Sequence, residues 1–209
     1  MTDTRDKILD AALPAIVFDG WTMTVLETAA KNAGLTAFDV KRVFPGGIMD
    51  ALCHFSARAD AAMVEALRSD YSLSTMKIRE RIATAVMVRL RQQTPHREAV
   101  RRAMAIYAMP WNKIAELKMI YATVDAMWRE AGDTSTDYNF YTKRLLLSKV
   151  YITSLRVWLD DTSPNLLTTE AFLRRRIEDV MQIEKLKAKA KGALANLESF
   201  LPKILRQKS

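Results

Sequence analysis

A single cysteine, Cys53, stands in 209 residues, so the chain can form no internal disulfide, a pattern that fits a reducing compartment. Histidine is nearly as scarce: His54 and His96 are the only two, and without a second Cys or a His-rich spacing no zinc site is expected. Glycine and proline number six each, against abundant Ala, Leu, Met, Arg, Lys and Glu. No alternating strand segment bounded by hairpin signals is present, so the expected class is all-α. No apolar run approaches the roughly 18–20 residues that cross a bilayer. The first residues carry Asp3, Asp6 and Asp10, unlike a signal or transit peptide, and point to the cytoplasm.

Positive charge is what the chain has in excess. The net charge is +8, which suggests a polyanionic partner, nucleic acid or an acidic membrane surface. Residues 183–209 hold seven Lys/Arg against Glu184 and Glu198, and so five of the eight net charges. In that tail Leu186, Ala190, Ala193, Leu197, Phe200, Leu201 and Ile204 recur at helical steps with lysines alongside. This is the pattern of a basic amphipathic helix, with Lys187, Lys191, Leu197, Phe200 and Leu201 as the expected membrane contacts. The same stripe also suits packing on the chain's own bundle or on a second copy.

Helical periodicity divides the rest. A first helix is expected over 4–18, then Thr24 caps one running to Asn32, Gly34 turns, and Thr36 caps another ended by Pro45-Gly46-Gly47. With a further helix over 49–67 this makes a small helix-turn-helix unit, 1–70. "DYSLST" (70–75) is the linker candidate, followed by a helical bundle (71–185) and the tail (186–209). In the bundle, Ile114, Leu117, Tyr121, Val124 and Trp128 form a 3-4-3-4 stripe. The helix over 137–159 is apolar round most of its circumference, as a central bundle helix is.

The second helix of the turn motif, "TAFDVKRVF", is poorly equipped to read DNA. Asp39 and Phe38 occupy its front, and Lys41 and Arg42 are its only phosphate-contact candidates. The frame Ala33-Gly34-Leu35-Thr36 with Phe44 resembles the N-terminal domain of TetR-type repressors, without the Gly, Thr and Tyr that approach the backbone in that family. Nucleic acid is therefore the disfavoured partner. Arg89, Arg91, Arg97, Arg101 and Arg102 suit either a solvated face or a headgroup patch, and the 11 Met suit either a core or a pocket that adapts to a long apolar ligand.

"AGDTSTDYNFYTKR" (131–144) is the least generic stretch. Gly132 closes one helix, and Thr134 with Asp137 reads as a capping-box start to the next. No base accompanies its hydroxyls, so it is not a nucleophilic site. Phe140 and Tyr141 point about 100° apart on a helix and cannot share one narrow core. With Met127 and Trp128 they suggest an apolar docking patch. The longer run "TVDAMWREAGDTSTDYNFYTKRLLLSKVYITSLRVWLDDTSP" (123–164) resembles the signature region of the Coq-nine family, with "REAVRRAMAIYAMP" and "FLRRRIEDVMQIEK" in support. One departure is Phe140, where that family usually has Trp.

The resemblance implies a TetR-like helical fold turned to lipid, a non-enzymatic accessory role in ubiquinone biosynthesis, and a homodimer. It implies no cofactor beyond an isoprenoid or quinone lipid held in an apolar pocket, for which Met104, Tyr107, Met119, Tyr121, Leu147 and Tyr151 are the expected lining. Asp125, Met127, Trp128, Phe140, Tyr141 and Arg144 match the surface that meets a ring hydroxylase, a diiron enzyme in mitochondria. A bacterial member would work peripherally at the inner face of the cell membrane.

Overall fold

The computed structural model describes residues 4–136 and 138–182. The tail residues Lys187, Lys191, Leu197, Phe200 and Leu201, and the cap partner Asp137, lie outside the described residues. Within them the chain is all-α, as its composition predicts: α1 (Thr4–Asp19), α2 (Met23–Asn32), α3 (Ala37–Val43), α4 (Ile48–Asp70), α5 (Ile78–Gln92), α6 (Arg97–Tyr107), α7 (Lys113–Glu130), α8 (Tyr138–Asp160) and α9 over 167–182. None of these helices is long and apolar enough to cross a membrane.

The N-terminal helices are cut to length by their caps. Thr22, not Thr24, opens α2: it is extended, and its hydroxyl accepts from the Val25 N–H at 3.2 Å. Thr24 instead falls in the first turn. Gly34 takes φ +75, the left-handed value that ends α2, and Thr36 opens α3. α1, α2 and α3 close over Ile8, Ile16, Leu26, Val40 and Phe44, together with the first half of α4.

α6 joins this first core although it lies far along the chain. Ala99, Ala103 and Tyr107 pack into it, and the Trp21 indole N–H donates to the Ala99 carbonyl at 2.9 Å. The second half of α4 enters the other core, around Met63, Leu67, Val86, Leu90, Val124, Met127, Leu147 and Trp158. α4 is thus the shared wall of two cores. The connection after it is pinned as well. Arg81 donates to the carbonyls of Met76, Ser74 and Ala131, tying that segment to the end of α7.

α7 corrects one sequence expectation. Its core row is Ile120, Thr123, Val124 and Met127, whereas Ile114 and Leu117 are 71% and 64% exposed and Tyr121 also faces solvent. Of the 3-4-3-4 stripe, Val124 is in the buried row and Trp128 packs against it, while Ile114, Leu117 and Tyr121 lie outside it. Thr123 is accommodated in that row by a polar contact: its hydroxyl donates to Asp60 on α4 at 2.9 Å, and Asp60 accepts from buried Arg89 on α5 at 2.8 Å. Burial raises the Asp60 pKa, and Arg89 works against that rise.

Candidate functional site

Two cavities lie in the bundle, one within the second core and one between the two cores. The larger holds about 520 Å³, inside the ~300–1,000 Å³ typical of small-molecule pockets. Ile82 of α5 and Leu147 and Val150 of α8 are its buried floor, and Ile177, Val180 and Met181 of α9 close one side. Its mouth is polar and is made by the run that stood out in the sequence: Asp133, Thr134, Ser135, Asn139, Thr142 and Lys143, with Trp128 and Arg79. One face of α8 carries the gradient, with Asn139, Thr142 and Lys143 in the first turns and Leu146, Leu147 and Val150 beyond. The sequence marks this helix as apolar round most of its circumference and offers no sign of a space in front of one face.

The smaller cavity, about 50 Å³, lies where α4, α5, α6, α7 and α8 converge. Met104, Tyr107, Met119 and Tyr151 line it, beside Arg89 and Gln93. Of the six expected lipid-lining residues, then, four border the small space and Leu147 the large one. Tyr121 borders neither, because it is on the solvent face of α7.

The mouth is held by a buried ionic cluster. Gly132, at φ +86, stops α7 and lets the Asp133 N–H reach back to the Trp128 carbonyl at 3.0 Å. That aims the Asp133 carboxylate inward, where it accepts from Lys143 at 2.7 Å, Ser135 at 2.7 Å and Arg144 at 3.0 Å. Burial alone would raise the Asp133 pKa; the donors of Lys143, Ser135 and Arg144 outweigh it and hold the group well below the usual carboxylate range. Arg144 also donates to Asp125 at 2.6 Å and to the Phe140 carbonyl at 3.1 Å, with its guanidinium 3.4 Å over the Phe140 ring.

The expected docking residues therefore separate by depth. Arg144 and Met127 are buried, at 2% and 0% exposure, and present nothing to a partner in this conformation. Asp125 is nearly covered and is engaged by Arg144 and Arg129. The surface they support is Tyr141, 66% exposed, with Phe140 edge-on to it at 5.1 Å between ring centroids. Trp128 belongs to the cavity wall; its indole N–H donates to the Lys143 carbonyl at 3.2 Å, and the Lys143 ammonium sits 5.5 Å from its ring centre.

A second loop fixes the far end of the bundle. Asp161, in "DDTSP", accepts from the N–H and hydroxyl of both Ser163 and Thr169. Burial pushes its pKa up, but these four donors bring it to about 2. They cap α9 and so place Ile177 and Val180 against the larger cavity.

The profile of the COQ9 family matches residues 114–184, which contain both loops and most of the cavity lining. The human ubiquinone biosynthesis protein COQ9 is 32% identical over 185 residues, covering 86% of this chain and 58% of the human protein. The rat protein of the same name is 33% identical over 185 residues, covering 86% and 59%. The chain is similar to the COQ9 proteins. It spans somewhat under two thirds of the length of these relatives. The crystal structure of a TetR transcriptional regulator from Nitrosomonas europaea superposes with a TM-score of 0.67 over 83% of this chain and 95% of that one, at 19% identity. The chain thus has a TetR-like fold.

Proposed function

We propose that this chain is a non-enzymatic lipid-binding accessory protein of ubiquinone biosynthesis. It holds an isoprenoid or quinone lipid in the larger cavity, rests peripherally on anionic membrane through 186–209, and presents the lipid to a ring hydroxylase through the corner formed by Phe140 and Tyr141. The observation that carries this reading is the apolar 520 Å³ cavity whose polar mouth is built from the residues that resemble the Coq-nine signature. The names of the curated relatives support the pathway.

The rival reading is a ligand-responsive repressor, suggested by the name of the structural neighbour. The front of α3 speaks against it. Asp39 forms a capping box with Thr36 and ion-pairs with Arg42 at 3.0 Å. The Thr36 backbone N–H and hydroxyl lower the Asp39 pKa, so a carboxylate faces outward where phosphates would lie, and one of the two candidate cations is spent on it.

Lipid extracted from the purified protein and read by mass spectrometry tests the proposal, with binding to acidic vesicles measured for the full chain and for a deletion of 186–209. Isoprenoid in the extract and vesicle binding that disappears with the tail are expected. An empty cavity in repeated preparations, with no vesicle binding, refutes it.

A further inference from the structure

The larger cavity is asymmetric in a way that selects the end of its occupant. Its floor is aliphatic and buried, while its mouth carries two cations, the Arg79 guanidinium, 3.8 Å from Glu178 on the outer side, and the Lys143 ammonium, bonded to Asp133 and Ser135. An ammonium has three N–H donors. Asp133 takes one at 2.7 Å and the Ser135 hydroxyl a second at 3.2 Å, which leaves a third without a partner among the described residues. The Lys143 side chain is 39% exposed, so water reaches this donor until something else does. Asp133 does not repel an incoming oxygen strongly, since its carboxylate is 3% exposed and shared among Lys143, Ser135 and Arg144. Trp128 provides a flat wall beside the ammonium.

We propose that Lys143 is the specificity-determining residue of this cavity: it takes lipids whose apolar chain ends in an oxygen acceptor, chain inward and head group at Lys143. This rests on the lipid-binding reading and sharpens it to a class. Two head groups share the chemistry, a ring bearing carbonyl or phenol oxygens and a simple carboxylate.

Three probes separate these possibilities on the full-length protein: a benzoquinone with a two-unit isoprenoid tail, oleate, and the headless isoprenoid squalene. Affinities are read by displacement of a fluorescent apolar probe, for the wild type and for Lys143→Met, Lys143→Gln and Lys143→Arg. The wild type should prefer at least one head-bearing lipid over squalene by about tenfold or more, the worth of one charge-assisted hydrogen bond. Lys143→Met should erase that preference while squalene affinity stays within about twofold, Lys143→Arg should keep most of it, and Lys143→Gln should fall between. Quinone favoured over oleate assigns the head as a ring; the reverse order assigns a carboxylate. An equal effect of Lys143→Met on all three probes, or no effect, overturns the proposal. Should Lys143→Met not fold, the Gln and Arg variants decide it by the same comparison. If the wild type binds none of the probes, the lipid-binding reading itself has failed.

Discussion

Replacing Arg144 by Met keeps most of the side-chain volume and removes the charge that joins Asp125 of α7, Asp133 of the segment that follows it, and α8. The magnitude follows from what is left behind. Arg144 makes three hydrogen bonds, two of them to carboxylates, at 2.6 and 3.0 Å. Removing one partner of a buried ion pair costs roughly 3–5 kcal/mol, because an uncompensated charge remains. Here the two carboxylates are not abandoned. Asp125 keeps Arg129 at 2.8 Å and Asp133 keeps Lys143 at 2.7 Å, so the lower end, about 3 kcal/mol, applies. For a chain of this size each kcal/mol moves Tm by roughly 2–4 °C, and the expected loss is about 6–12 °C.

Calorimetric melts of wild type and Arg144→Met at pH 7 measure this, with Arg174→Met as the control. Arg174 is in an exposed pair with Glu170, and its removal should stay within about 0.5 kcal/mol. The pH dependence has a definite sign. The folded pKa of Asp133 lies below its unfolded value, so its stabilisation is full above about pH 4 and is lost as pH falls. The gap between wild type and variant should therefore narrow below about pH 4. An Arg144→Met protein melting within about 2 °C of wild type at pH 7 refutes the claim that this cluster holds the hairpin.

Asp161→Ala leaves the Thr169 N–H and hydroxyl buried without an acceptor and should cost about 2 kcal/mol or more; because Asp161 titrates near 2 in the fold, the deficit should be full above pH 4 and close as pH falls through 2. Met127→Ala should cost about 2–5 kcal/mol in urea unfolding, whereas Leu117→Glu should change stability by no more than about 0.5 kcal/mol; equal losses would mean that α7 is rotated from its described position. Gly132→Ala should lower stability by about 1–2 kcal/mol in the same assay, since the position is left-handed and a Cβ there would lie 3.2 Å from the Arg81 guanidinium.

Helix order was legible because Gly34, Thr36, Gly132 and the prolines punctuate it with local chemistry. Helix rotation was less so. The α7 stripe from Ile114 to Trp128 satisfies helical spacing, yet Thr123 sits in the buried row, where a hydroxyl is a poor advertisement for burial. Its hydroxyl is satisfied inside by Asp60, paired with Arg89 on another helix, and by the Met119 carbonyl. No one-dimensional pattern carries that information. Burial of Arg144 was hidden for the same reason: an arginine after a Lys reads as surface until two carboxylates, 11 and 19 positions earlier, are found to converge on it.

The signature run is thus better understood as a joint than as a face. Asp133 is bonded on one side to Lys143, at the mouth of the cavity, and on the other to Arg144, under the ring of Phe140. Cavity mouth and aromatic corner are consequently two sides of one carboxylate, separated by single side chains. A head group taken by the third donor of Lys143 would share that ammonium with Asp133, whose other partner Arg144 lies against the ring of Phe140. A partner that grips that ring meets the same carboxylate from the other direction. If the proposed lipid and partner both bind here, the bonds that Asp133 shares between Lys143 and Arg144 are where their affinities would couple, and such coupling must be reciprocal.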